Sequence, residues 1–182
     1  MRRRIFAIKT SINGIVDHTV GIADDELHNF YTDLLNSVDV VLMGRITYQL
    51  MESFWPVAHK APQSTQSIMR FADKYNSIKK IIFSETLKEV KWQNSQLADR
   101  NLQEIISELK NQDGKNISAG SLSIALQLLK LDLIDEFWIA VHPFVAEKGP
   151  RLFEGIDVIK KLKLVDSKTL SSGVVFHHYL NI

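Results

Sequence analysis

The residues best placed for chemistry are Arg45 and Thr47, which follow directly on Gly44 and the apolar run of residues 38–43 in VDVVLMGRITY. A β-branched and aliphatic run of this length reads as a strand buried on both faces, and the small residue after it marks a tight turn into a helix. The first turn of a helix presents unpaired backbone N–H groups and the positive end of its dipole. A guanidinium and a hydroxyl at that corner suit an anion, above all a phosphate. The plainer alternative is a structural strand, turn and helix with a solvated arginine.

A second junction has the same form. Residues 115–129, KNISAGSLSIALQLL, run from a short strand through Ala119, Gly120 and Ser121 into a helix with apolar positions Leu122, Ala125, Leu126 and Leu129. Small side chains let a phosphate approach the backbone, and Ser121 or Ser123 can cap the helix or bind the anion. Between the junctions, residues 79–87, KKIIFSETL, form a strand that ends in Ser84 and Thr86. Strands finishing in small or polar residues at one sheet edge are where α/β proteins take nucleotides. Neither GxGxxG nor GxxxxGK[ST] occurs, so neither dinucleotide nor P-loop fingerprint supports the reading.

Elements must hold these corners in place, and the chain supplies them. Residues 3–12 read as a first strand, with Asn13-Gly14 as a turn that tolerates positive φ. Asp24, Asp25 and Glu26 open a helix whose apolar positions are Leu27, Phe30, Tyr31, Leu34 and Leu35, and an acidic first turn suits the helix dipole. After the strand at 38–43, a helix covers residues 46–52 and ends at Phe54-Trp55-Pro56; residues 57–67 read as a surface loop and 67–75 as a further helix. Residues 99–110, with Leu102, Ile105, Ile106 and Leu109, form an amphipathic helix closed by Asp113-Gly114. The last third holds a strand at 134–141, a loop at 143–153, and a hairpin of 162–169 with 174–180 about Ser171-Ser172-Gly173. Alternating strands and helices followed by a hairpin give an α/β protein with a mostly parallel sheet and an antiparallel edge.

Composition narrows the function. A chain of 182 residues with 45% apolar and 24% charged residues fits one soluble domain, taken as 1–182, and a net charge of +1 gives no reason to expect nucleic acid. No cysteine is present, which removes disulfides and thiolate chemistry. No apolar run is long enough to cross a bilayer or serve as a signal segment, so the expected location is cytoplasmic. The six histidines show no metal spacing, and His177 and His178 fall on opposite faces of a strand, so no metal is expected.

Taken in order, VVLMGRITYQLM, FSETL, SAGSLSIALQLL, DEFWIAVHPFVAEKGPRLFEG and VVFHHY resemble the dihydrofolate reductase-like superfamily, in particular the group related to the reductase domain of bacterial riboflavin biosynthesis proteins. The resemblance spans nearly the whole chain and implies a three-layer α/β/α fold with NADPH lying across the ends of the central strands. It matches Gly44, Arg45 and Thr47 to the segment holding the pyrophosphate and the adenosine 2′-phosphate, and Ser84, Thr86 and Leu87 to the segment beside the adenosine. Ala119, Gly120, Ser121 and Leu122 match the turn under the pyrophosphate, with Ala119 standing where the family often has glycine. Asn13, Gly14, Ile15 and Val16 match the loop that closes over the nicotinamide. Aligning Leu27 and Phe30 with the first helix of true dihydrofolate reductases brings Glu26, or its neighbour Asp25, to the place of the pterin-binding acid; capping explains both equally. Phe30 and Trp55 are the candidate substrate contacts, Trp55 having core packing as its alternative. The zinc deaminase signature, H-x-E with P-C-x-x-C, is not among these residues.

The resulting expectation is an NADPH-dependent reductase acting on a pterin- or pyrimidine-type heterocycle, working as a homodimer, with NADPH preferred over NADH through Arg45. Hydride transfer asks a protein mainly to position two rings, which fits a chain offering no catalytic triad. The competing expectation is a nucleotide- or ligand-binding protein that keeps the fold without turnover.

Overall fold

A computed structural model describes residues 2–157 and 159–182. The first strand, β1 (Arg4–Ser11), is followed by α1 (Asp25–Leu35), β2 (Val38–Gly44) and α2 (Arg45–Glu52). Then come α3 (Gln66–Ser77), β3 (Lys79–Phe83), β4 (Ser95–Leu97), α4 (Leu102–Asn111), β5 (Asn116–Ala119) and α5 (Leu122–Lys130). The chain closes with β6 (Glu136–His142), β7 (Leu162–Thr169) and β8 (Val175–Asn181).

Among the described residues these strands make an eight-stranded sheet in the order β4-β3-β2-β5-β1-β6-β8-β7. The strands from β4 through β6 pair in parallel. Strand β8 runs antiparallel to both β6 and β7. Connections that return through helices force parallel pairing, whereas the short turn at 170–174 permits the antiparallel hairpin.

Alternation along the strands assigns the two faces. Phe6, Ile8, Val40, Leu42 and Ile117 pack against Leu102, Ile105, Ile106 and Leu109 of α4 and Ile124, Ala125 and Leu128 of α5. Ile5, Val41, Met43 and Ile82 point the other way, onto Leu35 of α1, Tyr48 of α2 and Phe71 and Tyr75 of α3. The sheet is thus covered on both sides, the three-layer arrangement of a dihydrofolate reductase-like fold.

Several element ends differ from the sequence reading by one to three residues, and the following places differ in kind or bear on the site. Strand β3 stops at Phe83; residues 84–87 are a turn in which the Ser84 hydroxyl accepts from the N–H groups of Thr86 and Leu87. Residues 55–60 form a 3-10 helix where the polar, proline-containing segment reads as loop. Helix α3 starts at Gln66, capped by Thr65, and β4, three residues long, was not expected. A three-residue strand carries too little alternation to be seen in sequence.

Candidate functional site

Helices α1, α3 and α4 begin with side-chain caps: Asp24 accepts from the N–H of Leu27, Thr65 from Ile68 and Asn101 from Glu104. Helices α2 and α5 begin without one, at Gly44 and Ser121. Both follow directly on central strands, β2 and β5, which are neighbours in the sheet. Two adjacent helix starts therefore keep donors free at the same edge, where the sequence predicts anion binding.

The two corners are tied together. The Ser121 hydroxyl accepts from the Gly44 N–H at 3.0 Å and lies 3.4 Å from the Ser123 hydroxyl. A β-carbon on Gly44 would stand 2.9 Å from Ser123 Oγ, so glycine there keeps the corners in contact. Gly120 serves the sheet instead: its N–H donates to Leu42 O at 2.8 Å, and a β-carbon would meet Val41 Cγ1 at 2.5 Å.

Beside this contact opens a cavity of about 330 Å³, lined by Gly44, Arg45, Ile46, Thr47, Phe83, Ser84, Glu85, Thr86 and Ser123. Its lining combines the start of α2, the turn after β3 and the first turn of α5. The Arg45 guanidinium is exposed, with one long contact, 3.4 Å, to Gln49 Oε1. An exposed cation, hydroxyls from Thr47, Ser84, Thr86 and Ser123, and free backbone donors make a set that binds phosphate oxygens.

Five of the sequence-assigned cofactor residues, Gly44, Arg45, Thr47, Ser84 and Thr86, line this cavity. The others stand elsewhere. Ala119 and Val16 are buried in the core that packs on α4 and α5, with Leu122 at its margin, and Leu87 packs against the opposite core. Asn13 holds the backbone of Ala146 from both sides, donating to its carbonyl and accepting from its N–H. Gly14 O accepts from Leu152 N–H, and Val16 N–H donates to Pro150 O, so residues 13–16 are zipped to residues 150–152. Ser123, which the sequence offers as a cap or anion ligand, also lines the cavity, and Ile46, Phe83 and Glu85 line it without having been singled out. Phe83 and Glu85 carried no signal of their own, since alternation would set them opposite Ser84; it is the end of β3 at Phe83 that brings all three to the cavity.

The two carboxylates considered as acids have structural partners. Glu26 accepts from the Ser171 N–H and hydroxyl, tying α1 to the terminal hairpin. Asp25 accepts from the hydroxyls of Ser67 and Thr65, tying α1 to α3. These bonds, from the Ser171 backbone first for Glu26 and from Ser67 first for Asp25, hold both carboxyls below their ordinary range. A carboxylate kept ionised by donors is poorly suited to deliver a proton. Phe30 stacks on Phe176 at 3.6 Å between ring centroids, and Trp55 packs on Phe71 at 4.5 Å with its indole N–H on Met51 Sδ. Neither lines the cavity. His178 stacks on Trp138 and bonds Glu136, while His177 faces Ser167 and Tyr179. Among the described residues no helix is long and apolar enough to cross a membrane.

A doubly covered, mostly parallel sheet with an open polar cavity at the carboxyl ends of β2 and β3 defines the class: an α/β protein of dihydrofolate reductase-like fold. The chain belongs to the RibD C-terminal domain family, whose model matches residues 5–176. It is 31% identical over 180 residues to the uncharacterized protein YyaP of Bacillus subtilis, covering 96% of this chain and 92% of that one. Its fold is similar to a putative riboflavin biosynthesis protein from Shewanella sp. PV-4, with a TM-score of 0.76, 19% identity and 99% of each chain covered. It is also similar to dihydrofolate reductase from Enterococcus faecalis complexed with NADP(H), with a TM-score of 0.60, 11% identity, and 98% and 96% of the two chains covered.

Proposed function

We propose that this protein is an NADPH-dependent reductase that transfers a hydride to a small pterin- or pyrimidine-type heterocycle. The observation that carries the reading is the cavity in which Gly44, Arg45, Thr47, Ser84, Thr86 and Ser123 come together from three separate segments. NADPH, when bound, supplies the hydride. The residues present suit its adenosine end: Arg45 for the 2′-phosphate, the hydroxyls of Ser84 and Thr86 for the ribose, and the uncapped starts of α2 and α5 for the pyrophosphate.

Binding energy gathered at this remote corner fixes the position of the nicotinamide farther along the sheet edge, toward β1 and β6. We assign neither Asp25 nor Glu26 to proton transfer, because both are engaged between elements. Likeness of fold to an NADP(H)-bound reductase supports the assignment without deciding it. The protein works in the cytoplasm as a homodimer on this reading; Leu164 and Val165, exposed on the edge strand β7, offer a pairing edge.

A second reading, a binding protein without turnover, is favoured by one observation: Asp25 and Glu26, the two carboxylates considered as acids, are both engaged in hydrogen bonds between elements. Two measurements separate them. NADPH fluorescence titration reports binding, and NADPH consumption with dihydrofolate or with a ribosylaminopyrimidine reports turnover. The reductase reading predicts both signals; binding without consumption of NADPH on either acceptor supports the second, and no binding of NADPH defeats the reductase reading.

A further inference from the structure

The cavity at the carboxyl ends of β2 and β3 holds opposite charges. Of the side chains lining it, Arg45 carries the positive charge and Glu85 the negative one. Strand register brings their segments together: Gly44 pairs with Phe83, so Arg45 and Ser84 leave the sheet side by side and Glu85 follows at once. The two segments are also moored to each other farther on. Tyr48, one turn along α2 from Arg45, accepts through its hydroxyl from the N–H groups of Lys91 and Trp92 at 3.0 and 3.2 Å. Leu87 packs against the core that Tyr48 shares with Phe71 and Tyr75. The turn that carries Glu85 is therefore fixed against the helix that carries Arg45.

Neither charge is used within the protein. Arg45 has its one long contact to Gln49, at 3.4 Å. Glu85 is exposed and has no ion pair among the described residues, whereas Glu89, four residues on, is paired with Lys91 at 3.2 Å. The hydroxyl beside Glu85 is already committed as an acceptor. Ser84 Oγ takes the N–H groups of Thr86 and Leu87 at 3.2 and 3.0 Å, which leaves its proton to donate and little capacity to accept. A ribose with both hydroxyls free brings two O–H donors to this corner, and Glu85 is the strong acceptor in the lining.

Electrostatics separates the two forms of the cofactor. A phosphate monoester carries a charge of about −1.5 to −2 at neutral pH. The charges of the lining cancel, so attraction of a 2′-phosphate to Arg45 is opposed by repulsion from Glu85, and solvent screens both alike. A carboxylate that meets ribose hydroxyls instead gains charge-assisted hydrogen bonds, the chemistry by which dinucleotides without the 2′-phosphate are held.

We propose that Glu85 is the residue that sets the choice of cofactor: its carboxylate accepts from the free ribose hydroxyls of NADH and opposes the 2′-phosphate of NADPH, so that this protein takes both, with the lead that Arg45 gives to NADPH held down. This inference rests on the reductase reading for the use made of the nicotinamide, and on the cavity lining alone for the choice between nucleotides. Arg45 and Glu85 act as opposed halves of one selector, each on a different form of the same ribose.

The test is Glu85→Gln, which keeps the length of the side chain, removes its charge and strands no buried partner. NADPH and NADH are titrated by nicotinamide fluorescence at about 50 mM salt, where surface charge is felt most. The fragments 2′,5′-ADP and 5′-AMP, which differ only in the 2′-phosphate, are titrated by calorimetry to isolate the adenosine end. Wild-type protein binds NADH as well as NADPH. Glu85→Gln tightens NADPH and 2′,5′-ADP by about threefold or more, a gain that misfolding does not produce, and weakens NADH and 5′-AMP by about twofold or more. The proposal is overturned if wild-type protein fails to bind NADH, or if Glu85→Gln moves both members of either pair by the same factor; NADPH consumption that persists in that case leaves the reductase reading intact. Fragments sorted by Glu85 as described, with no NADPH or NADH consumed on any acceptor tried, sink the reductase reading and leave the selector standing. If no nucleotide binds to either protein, both fall.

Discussion

Arg45→Ala separates a phosphate-binding corner from a merely solvated arginine. The guanidinium is exposed and has one long contact, 3.4 Å, to Gln49, so its removal leaves no buried partner stranded and the fold is expected to be untouched. A hydrogen bond to a charged group contributes about 1.5–3 kcal/mol, and solvent exposure moves this case toward the lower end, about 1–2 kcal/mol. That range corresponds to roughly a 5- to 30-fold loss of NADPH affinity. NADH, which lacks the 2′-phosphate, is expected to lose less than about twofold, because only diffuse attraction to the pyrophosphate is removed. The assay is nicotinamide fluorescence titration of both cofactors against both proteins, at about 50 mM and 200 mM salt. The wild-type preference for NADPH shrinks at the higher salt and the variant shows little preference at either. An equal loss for NADPH and NADH would refute the role given to Arg45.

Other substitutions probe the rest of the account. Gly44→Ala places a β-carbon 2.9 Å from Ser123 Oγ, a side chain able to turn away, so it is expected to weaken NADPH binding with unfolding stability changed by less than about 1 kcal/mol. Gly120→Ala meets Val41 Cγ1 at 2.5 Å inside the sheet layer, and urea denaturation is expected to show a loss of about 1–3 kcal/mol from overpacking. Glu26→Gln keeps an oxygen for Ser171 and is expected to lower turnover by less than about tenfold, whereas loss of a true proton donor costs about 10²–10⁴. Lys80, fully buried, donates to the carbonyls of Asn76, Ile78 and Gln93 and lies 4.5 Å from the Trp92 ring centroid, with its pKa pushed down by burial to about 8. Between pH 8 and the ordinary lysine value the unfolded chain holds a proton that the folded chain has lost, so stability rises with pH across that window. Comparing wild type with Lys80→Met by urea denaturation is expected to show a relative gain for the wild type of up to about 3 kcal/mol between pH 8 and 10.5; parallel curves would contradict it.

Much of the frame can be read from residue order because local patterns and tertiary packing agree. The apolar run before Gly44 marks β2, the four- and three-residue spacing of Leu102, Ile106 and Leu109 marks α4, and both corners of the cavity follow strand-to-helix switches in period. What escapes is set by distant partners. Asp25 and Glu26 look alike in sequence, yet one is claimed by α3, 40 or more residues later, and the other by the hairpin, 145 residues later. Asn13 reads as a turn residue beside a ligand, but the backbone of Ala146, 133 positions away, occupies its amide. In sequence His142 reads as the end of a strand with Pro143; that its ring is sealed under residues 17–22, with one nitrogen unpaired among the described residues, is legible only in three dimensions.

The central claim is that the start of α2, the turn after β3 and the first turn of α5 together hold the adenosine end of NADPH. A crystal of this protein grown with NADPH tests it most directly. The account predicts the 2′-phosphate against Arg45 and Thr47, with Ser84, Thr86 and Ser123 around the nucleotide. NADPH bound elsewhere on the molecule, or density in this cavity that remains empty at saturating cofactor, would contradict it.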